Sequence, residues 1–81
     1  MNSKQKKTLE KIRKLPTASD LKWADAISLL RSVRSDVDEA RNGSRVFINY
    51  GGTPVVLHKP HGAKPMVKSA VDQIREILQD V

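Results

Sequence analysis

Residues 42–61 read NGSRVFINYGGTPVVLHKPH, a pattern typical of a small antiparallel sheet. Asn42-Gly43 tolerates positive φ at both central turn positions, so it predicts a tight two-residue reversal between two strands. Gly51-Gly52 predicts the next reversal, after which residues 54–57 form a short third strand. That strand leads directly into the segment that holds both histidines of the chain.

The first two predicted strands differ in how regular they are. Residues 36–41 alternate weakly and carry several charges, as expected of an edge strand. The second strand begins at Ser44 or Arg45, and its alternation turns Val46 and Ile48 to a buried face. The opposite face would present Arg45, Phe47 and Asn49. An aromatic residue in such a place can stack on a base, but cross-strand packing is the commoner role.

A basic helix is predicted before the sheet. Residues 3–15 consist of good helix formers and end at Pro16, but Leu9 and Ile12 give them only a thin apolar face. This helix could contact RNA, or it could be a solvated helix docked lightly on the domain.

A second helix should begin within residues 20–24, with Ser19 or Asp20 as its N-cap. Its apolar residues repeat at helical spacing and are Trp23, Ile27, Leu30 and Val33. Trp23, the single tryptophan, is at the head of that stripe. We therefore interpret it as a core anchor rather than as a platform for a nucleic-acid base.

A third helix should follow the sheet and begin near residues 67–69. Ser69 and Asp72 have the spacing of a capping box. The stripe predicted to seal the sheet consists of Val67, Val71, Ile74, Leu78 and Val81. Together the elements predict an α+β fold of order α-α-β-β-β-α, in which helices pack on one face of a three-stranded antiparallel sheet.

Composition limits the classes of protein to consider. A chain of 81 residues has a modest core and little room for a deep internal active site. It has no cysteine, which excludes disulfides and thiolate metal sites and favours a cytoplasmic protein. Its longest apolar runs, Val46-Phe47-Ile48 and Val55-Val56-Leu57, are far shorter than a signal peptide or membrane span. No membrane association is expected.

The net charge of +6 is distributed unevenly. Residues 1–15 hold six Lys or Arg against one acid, and residues 42–68 hold four cations and no acid. Basic surfaces often only aid solubility, but a bias confined to segments favours contact with nucleic-acid phosphates. The side chains expected to bind RNA are Ser44, Lys59, Lys64 and Lys68 around the sheet and Lys4 and Lys7 on the first helix.

The inventory of catalytic groups is short and centres on His58 and His61. The sequence contains no Gly-rich phosphate loop, carboxylate cluster or nucleophile elbow. An imidazole can take a proton from a ribose 2′-hydroxyl or protonate the leaving 5′-oxygen, while Lys and Arg stabilise the phosphate charge. Two histidines without a third protein ligand do not make a zinc site, so we expect neither metal nor cofactor. An ordinary role at a strand end and in a turn is equally open for these two residues.

Four short motifs occur in a fixed order along the chain. They are Lys22-Trp23, Gly43-Ser44, Leu57-His58-Lys59-Pro60-His61 and Lys68-Ser69-Ala70-Val71. This order resembles the HicA family of toxin-antitoxin toxins, which implies a double-stranded-RNA-binding-like fold, metal-independent mRNA endoribonuclease activity and a HicB-like antitoxin as partner. The resemblance covers about residues 22–78. Residues 1–19 would then form a basic N-terminal helix and linker, and residues 20–81 a HicA-like α-β-β-β-α domain.

The chain departs from the family pattern at one position. In the family the catalytic histidine directly follows the Gly-Ser turn, whereas this chain has Arg45 there. Arginine stays protonated and cannot act as a general base. Either His58 or His61 has therefore taken over the catalytic role, or the protein is a non-catalytic RNA-binding module of the same fold. A DNA-binding helix-turn-helix is disfavoured, because β sequence occupies the place of its recognition helix.

Overall fold

The computed structural model has the predicted order of elements and describes residues 1–41 and 43–81. The helices are α1 (Ser3–Arg13), α2 (Trp23–Val33) and α3 (Lys68–Ile77), and the strands are β1 (Asp38–Glu39), β2 (Arg45–Tyr50) and β3 (Thr53–His58). Within these two ranges, no helix combines the length and hydrophobicity that crossing a membrane requires.

The sheet is antiparallel, with the strand order β1-β2-β3. β2 and β3 pair along their whole length, from Arg45 opposite His58 to Tyr50 opposite Thr53. The turn between them confirms the prediction from Gly51-Gly52, because both glycines have positive φ, 59° and 82°. A two-residue hairpin loop with the native strand twist favours this conformation, which most residues other than Gly, Asn and Asp adopt only with strain.

β1 covers only Asp38–Glu39, so the predicted strand over residues 36–41 was too long. Side-chain contacts hold the chain before it. Arg34 donates from Nε and Nη2 to the two carboxylate oxygens of Asp36, both at 2.8 Å, and from Nη2 to the carbonyl of Asn49 at 3.0 Å. The bond from Arg34 lowers the pKa of Asp36. These contacts replace strand pairing at the sheet edge.

The turn between β1 and β2 is described from Gly43 onward. Asn42 lies outside the described residues, so the first half of the predicted Asn42-Gly43 turn does too. The Gly43 N–H donates to the Ala40 carbonyl at 2.9 Å, and the Ala40 N–H donates to the Arg45 carbonyl at 2.9 Å. These bonds define where Arg45 enters the sheet.

One face of the sheet is buried under the helices, which confirms the predicted alternation of β2. Val46, Ile48 and Leu57 are at most 1% exposed. Residues from all three helices, from both long strands and from the segments that flank the helices form one core: Leu9, Ile12, Leu21, Ala26, Ile27, Leu29, Leu30, Val46, Ile48, Leu57, Met66, Ala70, Val71, Ile74, Ile77 and Leu78. The architecture is therefore α+β, with three helices and an open three-stranded antiparallel sheet that share one core.

α1 belongs to this core rather than resting on it. Leu9 and Ile12 are buried, and the helix contacts both α2 and α3. Gln5 also donates to the hydroxyl of Ser28 on α2 at 3.0 Å. The interpretation as a lightly docked helix was wrong, because the few apolar residues of α1 fit between two helices that are distant in sequence. Leu15, which follows α1, is 75% exposed.

The predicted helix caps were wrong. α2 follows Lys22 rather than Ser19 or Asp20, and α3 follows Val67. In the described part of the chain, no side chain caps either helix by a hydrogen bond.

Asp72, expected to complete a capping box with Ser69, instead accepts hydrogen bonds from Thr17 and Arg75. The predicted stripe of α3 is confirmed at Val71, Ile74 and Leu78, which are buried. At its two ends it was wrong, because Val67 is 64% exposed and Val81 is 44% exposed.

Replacing Ile12 with alanine should lower the free energy of unfolding by about 2–5 kcal/mol, because it opens a cavity in the shared core. The exposed Leu15→Ala is the matched control and should change it by less than about 0.5 kcal/mol. Urea unfolding followed by circular dichroism measures both. Equal effects of the two substitutions would contradict the role of α1 in the core.

Acid should remove part of the stability that Asp72 contributes. Hydrogen bonds from the Thr17 hydroxyl and from Arg75 lower the pKa of this carboxyl in the folded protein. Its contribution is therefore complete above the pKa of the unfolded chain, about 3.9, and is lost as pH falls through the lower folded value. Asp72→Asn should be less stable than the parent at neutral pH, and the difference should shrink in acid.

Thermal unfolding of the parent and of Asp72→Asn, from neutral to acid pH, measures this stability difference. Asp80→Asn is the control, since it removes the same charge and Asp80 has no ion pair among residues 1–41 and 43–81. A stability difference for Asp72→Asn that stays constant down to strongly acid pH would contradict this assignment.

Candidate nucleic-acid interface

The face of the sheet opposite the helices is open to solvent and carries charged, polar and apolar side chains. Its side chains are Asp38 from β1, Arg45, Phe47 and Asn49 from β2, and Pro54, Val56 and His58 from β3. Phe47 lies opposite Val56, and each is 37% exposed. Cross-strand packing of this pair is the role predicted for Phe47, although the pair remains open to solvent.

Arg45 and His58 are directly opposite each other at one end of this face. The next pair along, Ser44 and Lys59, shares a hydrogen bond from the Lys59 N–H to the Ser44 carbonyl at 2.9 Å. Arg45 and His58 therefore form the non-hydrogen-bonded type of pair, whose Cα atoms are about 4.5 Å apart and whose side chains are closest. We call Ser44, Arg45, His58 and Lys59 the basic corner.

The two cations of the basic corner, Arg45 and Lys59, have no ion-pair partner in the part of the chain that the structure describes. Across residues 1–41 and 43–81, the ion pairs connect helical residues, the linkers or β1, and none includes Arg45 or Lys59. A shallow depression of about 420 Å³ borders the corner and is lined by Ala40, Arg41, Ser44 and Arg45. Two guanidinium groups beside a hydroxyl provide donors of the kind that contact phosphate oxygens.

The other predicted site residues lie elsewhere. His61 and Lys64 are exposed in the loop between β3 and α3, and Lys68 is the exposed first residue of α3. Lys4 and Lys7 are on α1, in the helical layer, where Lys4 pairs with Asp25 at 3.4 Å. Of the predicted residues, the structure thus brings Ser44, Arg45, His58 and Lys59 together, and it does not bring the α1 lysines to them.

A second feature, which the sequence analysis missed, is a depression of about 340 Å³ beside Trp23. Its walls come from the start of α2 and from the segment after β3, and include Lys22, Trp23, Lys59, Gly62, Ala63 and Lys64. Trp23 packs against the core, as predicted, but it is only partly buried. The sequence signal was the pair Lys22-Trp23, a cation beside an aromatic residue at the edge of the apolar stripe.

No group of three or more His, Asp or Glu side chains in the described ranges is arranged to hold a metal ion. No family model matches the chain, and no curated protein or solved structure is significantly similar to it. The function must therefore be inferred from the chain's own residues.

Proposed function

We propose that this chain is a HicA-like protein that binds RNA at the basic corner and cleaves it there. The observation that carries the proposal is the pairing of Arg45 with His58, neither of which has a carboxylate partner among the described residues. This pairing joins two motifs of the resemblance, the turn at Gly43-Ser44 and the segment from Leu57 to His61. The order α2-β1-β2-β3-α3, with helices on one sheet face, supports a double-stranded-RNA-binding-like fold.

The register suggests how the chain can do without a histidine at position 45. A residue directly opposite on the neighbouring strand occupies the same corner of the same face. His58 therefore offers an imidazole within a few ångströms of the place where the family carries one. Arg45 then changes role, from proton transfer to binding of the phosphate.

In this mechanism His58 accepts the proton of a ribose 2′-hydroxyl. The 2′-oxygen attacks the adjacent phosphorus, and the bond from phosphorus to the 5′-oxygen breaks, which leaves a 2′,3′-cyclic phosphate. The leaving 5′-oxygen takes a proton from His61 in the following loop or from water. Arg45 stabilises the negative charge that grows on the phosphate oxygens. Each of these steps uses only protein groups or water, so no metal or cofactor is invoked.

The same surface is where a HicB-like antitoxin would bind, if the resemblance extends to the partner. The unpaired cations of the basic corner favour a partner with an acidic surface, since charge complementarity speeds association and selects the partner. Such a partner would compete with RNA for Arg45 and Lys59.

A second candidate function is RNA binding without cleavage. The observation that favours it is that the open face carries one imidazole, His58, whereas the reaction needs both a base and an acid. This candidate and the nuclease share the same RNA contacts and differ only in their demand on His58.

RNA affinity should depend on phosphate contacts at the basic corner. Binding of a labelled oligoribonucleotide, followed by fluorescence anisotropy, should weaken steeply as salt rises. Arg45→Gln should reduce the slope of log K against log salt by about one, because it removes one phosphate contact. Lys14→Gln, the same charge change just after α1, is the control and should leave the slope unchanged. Affinity of the parent that does not depend on salt would contradict the proposed interface.

Cleavage should depend on His58. In a single-turnover assay with RNA, His58→Ala should lower the rate by about 10² to 10⁴, the usual effect of losing a general acid or base. Asn49→Ala, on the same face at the far end of β2, is the control and should cut at the parent rate. Circular dichroism checks that each variant is folded.

Two outcomes would change the assignment. A larger loss with His61→Ala than with His58→Ala would move the base to the loop. Purified parent that binds RNA and never cuts it would favour the binding module.

A further inference from the structure

We propose that the depression beside Trp23 is a nucleobase subsite for single-stranded RNA. An unpaired base would stack on the indole, and the adjoining phosphates would contact Lys22, Lys59 and Lys64. The inference rests on the proposed RNA binding. It adds that the RNA is single-stranded, because bases within a duplex are stacked on one another and do not present a free face.

The walls of the depression suit a flat aromatic ligand. The indole of Trp23 is partly exposed, and the residues beside it, Gly62 and Ala63, have little or no side chain. A base can therefore approach the ring without meeting a bulky neighbour. Stacking on an aromatic side chain accepts any base, since every base has a π-face.

The charge around the depression is complementary to phosphate. Three lysines line it, and none of them takes part in an ion pair within residues 1–41 and 43–81. The acids near the start of α2 are engaged by other cations: Asp20 pairs with Lys11 at 3.0 Å and Asp25 pairs with Lys4 at 3.4 Å. Lysines without an ion pair in these described residues thus line the same depression as the partly exposed indole.

The two walls are held together by the core, so the subsite exists before a ligand arrives. The Met66 N–H donates to the Leu21 carbonyl at 2.8 Å. Both side chains are buried, 2% and 1% exposed. This bond ties the residue before Lys22 to the loop that carries Lys64. A preformed site loses little binding free energy to the ordering of its side chains and loops.

The subsite continues from the basic corner through two consecutive residues. His58 points to the open face of the sheet, and the next residue, Lys59, lines the depression on the helical side. Their Cα atoms are about 3.8 Å apart. One RNA strand that passes round the end of β3 can therefore contact Arg45 and His58 on one side of the sheet and Lys59 and Trp23 on the other.

An anionic membrane surface offers the same phosphate chemistry but fits this site less well. A membrane contact needs a broad apolar surface, and the exposed pair Phe47 and Val56 lies on the other face of the sheet. The depression beside Trp23 is confined between one helix and one loop.

Trp23 is the sole tryptophan, so its fluorescence reports on this site alone. The full-length protein would be titrated with an oligoadenylate that carries 2′-O-methyl groups and cannot be cleaved, and with the same strand annealed to its complement. We expect saturable quenching by the single strand and much weaker quenching by the duplex. Trp23→Leu should weaken single-strand binding roughly 5- to 100-fold, measured by anisotropy of a labelled strand. Trp23→Phe keeps an aromatic face and should retain most of the affinity.

Phe47→Leu is the matched control, because it removes the exposed aromatic ring of the open face instead. Parent protein that binds the labelled strand with unchanged Trp23 fluorescence, and Trp23→Leu that binds with parent affinity, would overturn the subsite and leave RNA binding intact. Weakening by Phe47→Leu alone would also overturn it, in favour of stacking on the sheet. Absence of binding to any RNA would overturn both proposals. A fluorescence change with phosphatidylserine vesicles but not with RNA would overturn the subsite in favour of a membrane surface.

Discussion

The register between β2 and β3 is the constraint on which the other features depend. Side chains alternate along a strand, so a slip of one residue would expose Val46 and Ile48 and turn Arg45 toward the core. The burial of two apolar side chains and the desolvation of a guanidinium both oppose that slip. The tight turn at Gly51-Gly52 fixes the same register independently. Core formation and assembly of the basic corner are thus one event.

Arg75 on α3 holds the helices together through polar contacts. Its guanidinium donates to the Ile12 carbonyl at 2.7 Å, to the Thr17 hydroxyl at 3.0 Å and to the Asp72 carboxylate at 3.0 Å. The last carbonyls of a helix lack partners within it, so those of α1 need a donor from outside. Arg75 on α3 meets that need at the Ile12 carbonyl and also holds the linker that follows through Thr17.

The distribution of charge separates the structural part of the molecule from the proposed functional part. Carboxylates pair with cations among the helices, the linkers and β1, where they help to hold elements together. The end of the sheet and the loop after β3 carry several cations and no carboxylate. These cations repel one another, and a bound polyanion would reduce that repulsion. The basic corner and the depression beside Trp23 share Lys59. A single extended polyanion would therefore satisfy both.

The sequence alone determined the features that depend on local chemistry. Glycine turns and strict alternation predicted β2, β3 and the buried face of the sheet, and helical spacing predicted the number and order of the helices. The tertiary structure decided what depends on distant partners. Asp72 pairs with Arg75 and Thr17 instead of capping α3, the thin face of α1 becomes core, and Trp23 stays partly open. Likewise, His58 lies opposite Arg45 only through strand pairing, and Lys22 and Lys64 line one depression only because Leu21 and Met66 are buried together. Local propensities act between neighbours in the chain, whereas these contacts form when burial of apolar surface brings remote segments together.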